Sequence, residues 1–386
     1  MLNLDFVTRL KKHLEEPSPL IQVIMGPRQV GKTTGIKQLL KDYKKTSTFY
    51  FSADDVAAPR EAILEYWQKA RLAGPTSLLV IDEIHKIPDW SETIKGLWDR
   101  EKPSQRIKCI LLGSSSLSLQ RGVSESLTGR FELIRVPHWN YTDSRRGFKW
   151  DLETYLTYGG YPGSYAFVDD WQRWREYVHH SIIETVIGKD ILGQRSVTNP
   201  ALFRQAFSLL TQYPAQEISY TKLLGQLQDR GNTDLIKHYI ELYEGAFLIR
   251  ALAKYSVKPV LRKSSSPKIL PLCPALCTVT EGPDVARSPE WRGRLFELAV
   301  GMELARLPGE LFYWRENNAE VDYVYRFAGK TFAIEVKSGR KKKAGGLSVF
   351  IDRFPRAHPV LIDMENFLAF SKDPEKFFLI VSGVEM

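Results

Sequence analysis

Residues 26–33 read GPRQVGKT and follow the apolar run LIQVIM at 20–25. The spacing is a glycine, four further residues, then Gly31, Lys32 and Thr33, with an apolar strand-like run before it and a helical pattern after it. Glycines at these two places let backbone N–H groups turn around an anion. Lys32 offers a positive charge to phosphate oxygens, the Thr33 hydroxyl is a hard ligand for a dication, and the helix behind them points its positive end at the same place. Gly26, Pro27, Arg28, Gln29, Val30, Gly31, Lys32, Thr33 and Thr34 are therefore expected to cradle ATP with Mg2+. A plain glycine-rich turn into a helix is the alternative reading.

The rest of the first 140 residues alternates apolar runs with amphipathic stretches, which predicts an α/β fold with a parallel sheet. Strands are expected at 20–25, 47–51, 77–84, 107–113 and 131–136. The third, in LLVIDEIHKIPDW, ends on two carboxylates. Asp82 would complete a magnesium shell, and Glu83 would act as base toward the attacking water. The fourth ends in ILLGSSS, where Ser114 or Ser115 would sense a terminal phosphate or simply cap a helix. Arg130, in LTGRFELIRV, would reach a neighbouring subunit's nucleotide as an arginine finger, or is an ordinary surface arginine.

Taken together, GPRQVGKTT, IDEIHKIPDW, LLGSSSL, LTGRFELIRV and GGYPGSY resemble the prokaryotic AAA+ ATPases that join a P-loop domain to a carboxy-terminal domain of unknown function. The resemblance covers nearly the whole chain. It implies an ATPase core, a helical and winged-helix middle, and a nuclease-like end. Lys32, Thr33, Asp82 and Glu83 then take the Walker roles, a serine of 114–115 takes sensor 1, and Arg130 lies where arginine fingers lie.

The bulk properties fit such a chain. At 386 residues it exceeds what one core usually holds, so two or three domains are expected. Hydrophobic residues make up 43% and no apolar run approaches a bilayer's thickness, which excludes a membrane-spanning class. The first residues lack a secretory pattern, so the expected location is cytoplasmic. Cys109, Cys273 and Cys277 are too few for a disulfide framework, and no H-x-x-x-H pair suggests a zinc protease. A net charge of +9 favours a polyanionic partner, with DNA ahead of RNA.

Four regions are expected: an ATPase domain at 1–145, a helical lid or linker at 146–200, a winged-helix-like region at 201–257, and a small α/β domain at 258–386. In the third, residues 217–252 carry two helical patterns split by Gly-Asn and then a strand-like tail. Its second helix offers Lys237 and His238, but also Asp234, Glu241 and Glu244, a poor face for phosphates. The polar stretch KPVLRKSSSPK at 258–268 marks a boundary.

The last region holds IEVKSG at 334–339. In a strand, Glu335 and Lys337 point to one side. With Glu297 on a preceding helix and Asp322 on a preceding strand, the order resembles that of PD-(D/E)xK restriction-like nucleases. That resemblance implies Glu297, Asp322 and Glu335 around Mg2+ or Mn2+, and Lys337 either orienting the attacking water or offsetting charge on the transition state. A solvated Glu-Lys pair at a strand end is the alternative. GRKKKAGG at 339–346 would add salt-sensitive affinity for a phosphate backbone. Three functions compete: an ATPase acting on or gated by nucleic acid, a regulatory switch that binds a protein partner through an inactive nuclease-like scaffold, and a stand-alone nuclease in which ATP is mostly structural.

Overall fold

Runs of Leu, Ile and Val that are buried on both faces make parallel strands. Such runs form the centre of the first sheet, which is built from β1 (Ile21–Gly26), β2 (Thr48–Ser52), β3 (Leu78–Asp82), β4 (Lys108–Ser114) and β5 (Phe131–Arg135); its edge strands β2, TFYFS, and β5, FELIR, are only partly buried. Every residue of β1 and β3 is buried. The order is β2-β3-β4-β1-β5 and each neighbouring pair is parallel. Because β4 lies between β1 and β3, the loop after β1 and the acids at the end of β3 come from strands separated by one strand. Ser114 stands opposite Gly26 in the register.

The computed structural model describes residues 4–17, 20–43, 47–54, 59–101, 107–114, 126–193, 195, 197–227, 232–256, 265–282, 284, 288–339 and 345–382. The chain separates into two units, one of Met1–Pro137 with Glu184–Ser196 and one of His138–Ile183 with Val197–Met386. The short return segment of the first unit is a π-helical stretch, Val186–Leu192, with Asp190 buried in it.

The second unit contains the helices Pro200–Thr211, Tyr220–Gln226 and Thr233–Gly245. Asn199, Ser219 and Asn232 cap them by accepting a first-turn N–H. The last helix buries Ile236, Tyr239, Ile240 and Tyr243, and Tyr243 packs on Phe203. A three-stranded antiparallel sheet follows the order β6-β8-β7, from β6 (Gln216–Glu217), β7 (Ile249–Leu252) and β8 (Lys268–Pro271).

Helix Pro289–Arg306 then leads into β9 (Glu310–Glu316), β10 (Ala319–Phe327), β11 (Lys330–Lys337), helix Gly345–Arg353 and β12 (His358–Asp363). The sheet order is β12-β11-β10-β9; β9, β10 and β11 are antiparallel, while β12 returns parallel to β11. The parallel return requires the intervening helix as its crossover. Its core gathers Phe312, Trp314, Val321, Val324 and Phe350.

Candidate functional site

The loop after β1 owes its shape to two glycines with different jobs. A Cβ on Gly26 would lie 2.0 Å from the Val136 carbonyl oxygen, so only glycine lets the chain pass there. Gly31 adopts a φ of 91°, in the left-handed region that glycine occupies at no steric cost. Gln29 reaches φ 61° in the same turn. Helix Lys32–Asp42 begins immediately afterwards.

Lys32 folds back over this loop, its Nζ donating to the carbonyl oxygens of Gly26 at 2.8 Å and Pro27 at 2.6 Å. Burial pulls its ammonium down to about 8, against the opposing pull of Glu83 and Asp82. One residue on, the Thr33 hydroxyl donates to Asp82 Oδ2 at 2.8 Å. Tyr50, from β2, donates to the same oxygen at 2.7 Å, and the Glu83 N–H donates to Oδ1 at 3.0 Å. The loop and the acidic strand end thus meet, and they bring a hydroxyl and a carboxylate together. Two hard oxygens side by side suit a magnesium ion.

Glu83 sits at φ 52°, a strained value for a residue with a side chain. Its Oε2 lies 3.3 Å from His85 Nδ1. Burial pushes that imidazole down to about 4, so His85 is neutral and the contact carries no full charge pair. Arg28, at the crest of the loop, makes a two-pronged bond to Asp190, with Nε and Nη2 each 2.6 Å from a carboxylate oxygen. The Asp190 hydrogen bond raises the Arg28 pKa further. No local sequence pattern marks Tyr50 or Asp190, and His85 lies within IDEIHKIPDW without a role of its own there.

Arg130 lies at the opposite end of the sheet from the phosphate loop, where its carbonyl accepts from Ile21 N–H. Its guanidinium binds Asp99 through Nε at 2.7 Å and Nη2 at 2.9 Å. It therefore does not reach the loop of its own chain. Ser115 lies outside the described residues; of Ser114, the backbone stands across from Gly26.

In the second unit, Glu297, Asp322, Glu335 and Lys337 line one cavity of about 540 Å³. Helix Pro289–Arg306 presents Glu297 there because the Tyr323 hydroxyl donates to the Glu297 carbonyl at 2.8 Å. Each acid already has an internal donor. Lys268 Nζ reaches Glu297 Oε1 at 2.5 Å, the Val336 N–H reaches Asp322 Oδ2 at 2.7 Å, and Lys337 reaches Glu335 Oε1. Burial raises the Glu297 and Glu335 carboxyls, while Lys268 and Lys337 pull them back. Lys268, the last residue of the polar boundary stretch, is fully buried and is the cation that sequence reasoning missed. Of the basic loop GRKKKAGG, residues 340–344 lie outside the described residues.

Three family models match the chain: an AAA domain over residues 18–144, and two domains of unknown function, DUF8612 over 149–279 and DUF4143 over 292–371. A Walker-type ATPase of Pyrococcus abyssi superimposes with a TM-score of 0.50 at 14% identity, covering 73% of this chain and 96% of that one. Residues 18–144 are thus a P-loop ATPase domain of the AAA type. Among its relatives, an uncharacterized protein of Mycobacterium tuberculosis is 29% identical over 86% of this chain and 73% of its own. An uncharacterized protein of Methanocaldococcus jannaschii is 24% identical over 79% and 71%.

Proposed function

We propose that this chain hydrolyses ATP with magnesium at the Gly26–Thr34 loop, and that the nucleotide cycle gates a nuclease-like carboxy-terminal domain directed at nucleic acid. The observation that carries the ATPase reading is the Thr33–Asp82 hydrogen bond, which joins the loop to the acidic strand end. Lys32 neutralises phosphate charge, and Thr33 and Asp82 hold the ion. Magnesium, when bound, offsets charge on the phosphate oxygens. Glu83 orients the water and takes its proton, a serine of 114–115 monitors the terminal phosphate, and Arg130 serves a neighbour in a homo-oligomer.

The helix-strand-strand-strand-helix-strand order of residues 289–363, with Glu297, Asp322, Glu335 and Lys337 on one cavity, supports the nuclease-like reading of the last domain. The +9 charge supports a nucleic-acid partner, DNA ahead of RNA. One observation favours a second reading, a regulatory switch acting on a protein partner through an inactive scaffold: a buried lysine already occupies Glu297.

The test is ATP turnover by the full chain with and without DNA or RNA. Lys32→Ala should lower kcat by about 10²–10³, the loss typical of removing one preorganised charge-stabilising group. Added nucleic acid should bind and change the rate of the unaltered chain. If turnover survives Lys32→Ala, the ATPase assignment fails; if nucleic acid neither binds nor alters turnover, the switch reading replaces the leading one.

A further inference from the structure

A buried cation lies behind Glu297, one of the residues that line the cavity in the second unit. Lys268 opens β8 and is only 1% exposed. Its Nζ donates to Glu297 Oε1 at 2.5 Å and to the Asp322 carbonyl at 3.0 Å, and it stands 4.6 Å from the centre of the Tyr323 ring. A carboxylate, a carbonyl and a ring face together satisfy an ammonium that has three donors and no access to water. Burial lowers the pKa of Lys268, but the Glu297 and Asp322 carboxylates outweigh it, so the group stays charged.

One oxygen of each of the three acids expected to take a dication already accepts from its own chain, while Glu335 Oε2 is buried without a hydrogen-bond partner. Glu297 holds Lys268, Asp322 Oδ2 holds the Val336 N–H, and one oxygen of Glu335 holds Lys337. Five carboxylates line the cavity, Glu290, Glu297, Glu320, Asp322 and Glu335, and three cations each take one of them: Arg294 pairs with Glu290, Lys337 with Glu335, and the buried Lys268 with Glu297. Among the described residues, no three His, Cys, Asp or Glu side chains come together as a metal-holding group. Mg2+ demands near-octahedral oxygen ligation, and the neighbouring cations repel it. A dication capturing Glu297 would also strip the buried ammonium of its carboxylate partner, which is costly in a low-dielectric interior.

We propose that Lys268, buried behind the cavity wall, is the resident cation of Glu297: it takes the carboxylate that a divalent ion would need, and the native pocket takes neither Mg2+ nor Mn2+. The inference rests on the nuclease-like reading of the domain and is independent of the ATP site. It makes phosphodiester cleavage through a metal in this cavity unavailable to the native chain.

The experiment is a titration of Mn2+ into the full, nucleotide-free chain, with free Mn2+ followed by electron paramagnetic resonance. The unaltered protein and Glu335→Gln should bind Mn2+ equally, because no site depends on Glu335. Lys268→Met should gain a site at least tenfold tighter, and Lys268→Met with Glu335→Gln should lose it again. Mn2+ binding by the unaltered protein that weakens tenfold or more in Glu335→Gln or Asp322→Asn would overturn the proposal, as would a folded Lys268→Met that gains nothing. Should Lys268→Met fail to fold, the comparison of unaltered protein with Glu335→Gln decides alone. Nucleic-acid binding measured without dications tests the nuclease-like reading separately.

Discussion

Arg28 and Asp190 are the pair on which the phosphate loop's crest depends. The two residues are 162 positions apart, yet both prongs of the guanidinium are 2.6 Å from the carboxylate. Asp190 is 3% exposed and Arg28 24%, so the pair is shielded but not sealed. Removing one partner of a fully buried pair costs about 3–5 kcal/mol. With Arg28 partly wetted, Asp190→Asn should cost about 2 kcal/mol, read from the urea midpoint, and should weaken ATP binding because the loop crest loses its anchor. Unchanged stability and unchanged nucleotide affinity together would show that Arg28 needs no anchor.

His85 gives a pH dependence whose sign follows from its burial. Asp190, Arg28, Lys32 and Asp82 all act on it, but burial dominates and sets its folded value at about 4 against 6.5. Between those values the unfolded chain binds a proton that the folded chain does not. Stability is therefore full above pH 6.5 and is lost progressively as pH falls toward 4, by about 2 kcal/mol at pH 5 relative to pH 7. Urea midpoints at the two pH values, compared with those of His85→Gln, isolate this contribution. Equal slopes for both proteins would refute it.

What was legible at this scale was whatever sits within a contiguous motif. GPRQVGKT and the Asp82–Glu83 strand end could be read because strand, turn and helix are written next to one another. Tyr50, Asp190 and Lys268 could not, because each is defined by a contact across tens of residues and looks locally like an ordinary aromatic, acid or lysine.

Among elements, the strands were the most legible, since continuous Leu-Ile-Val runs have one stable setting in a parallel sheet. Sequence reading missed β9 and β12, whose short apolar runs LFYW and VLI do not by themselves separate a strand from a buried helical segment. It also missed the π-helical turns, since nothing in residue periodicity separates them from an α-helix. The β10–β11 hairpin shows a local rule broken: its two-residue turn is Ala328-Gly329, with φ of 48° and 76°. Such a turn favours Asn-Gly, because both central residues adopt positive φ. Ala328→Asn should therefore stabilise the second unit by about 0.5–1 kcal/mol, checked by a rise in Tm. A fall in Tm would mean that the alanine methyl packs usefully against the sheet.

At the scale of the whole molecule, the position of Arg130 decides how many chains one active site needs. Arg130 lies beside Leu20 at the amino end of the sheet, whereas the phosphate loop leaves the carboxy end of β1. Five or six residues of strand separate them, roughly 20 Å at ordinary strand rise. No rotamer of one arginine spans that distance, so any action of Arg130 on nucleotide must cross to another copy. Two inactive variants then become complementary. Lys32→Ala spoils its own loop but keeps its arginine, and Arg130→Ala keeps its loop but offers no arginine. Mixed in equal amounts, they should recover a measurable fraction of ATP turnover that neither shows alone, and the specific activity of the unaltered protein should rise with concentration. An Arg130→Ala variant that turns over ATP normally would return that residue to a surface ion pair with Asp99; a mixture that recovers nothing, although each variant folds and binds nucleotide, would confine catalysis to the single chain.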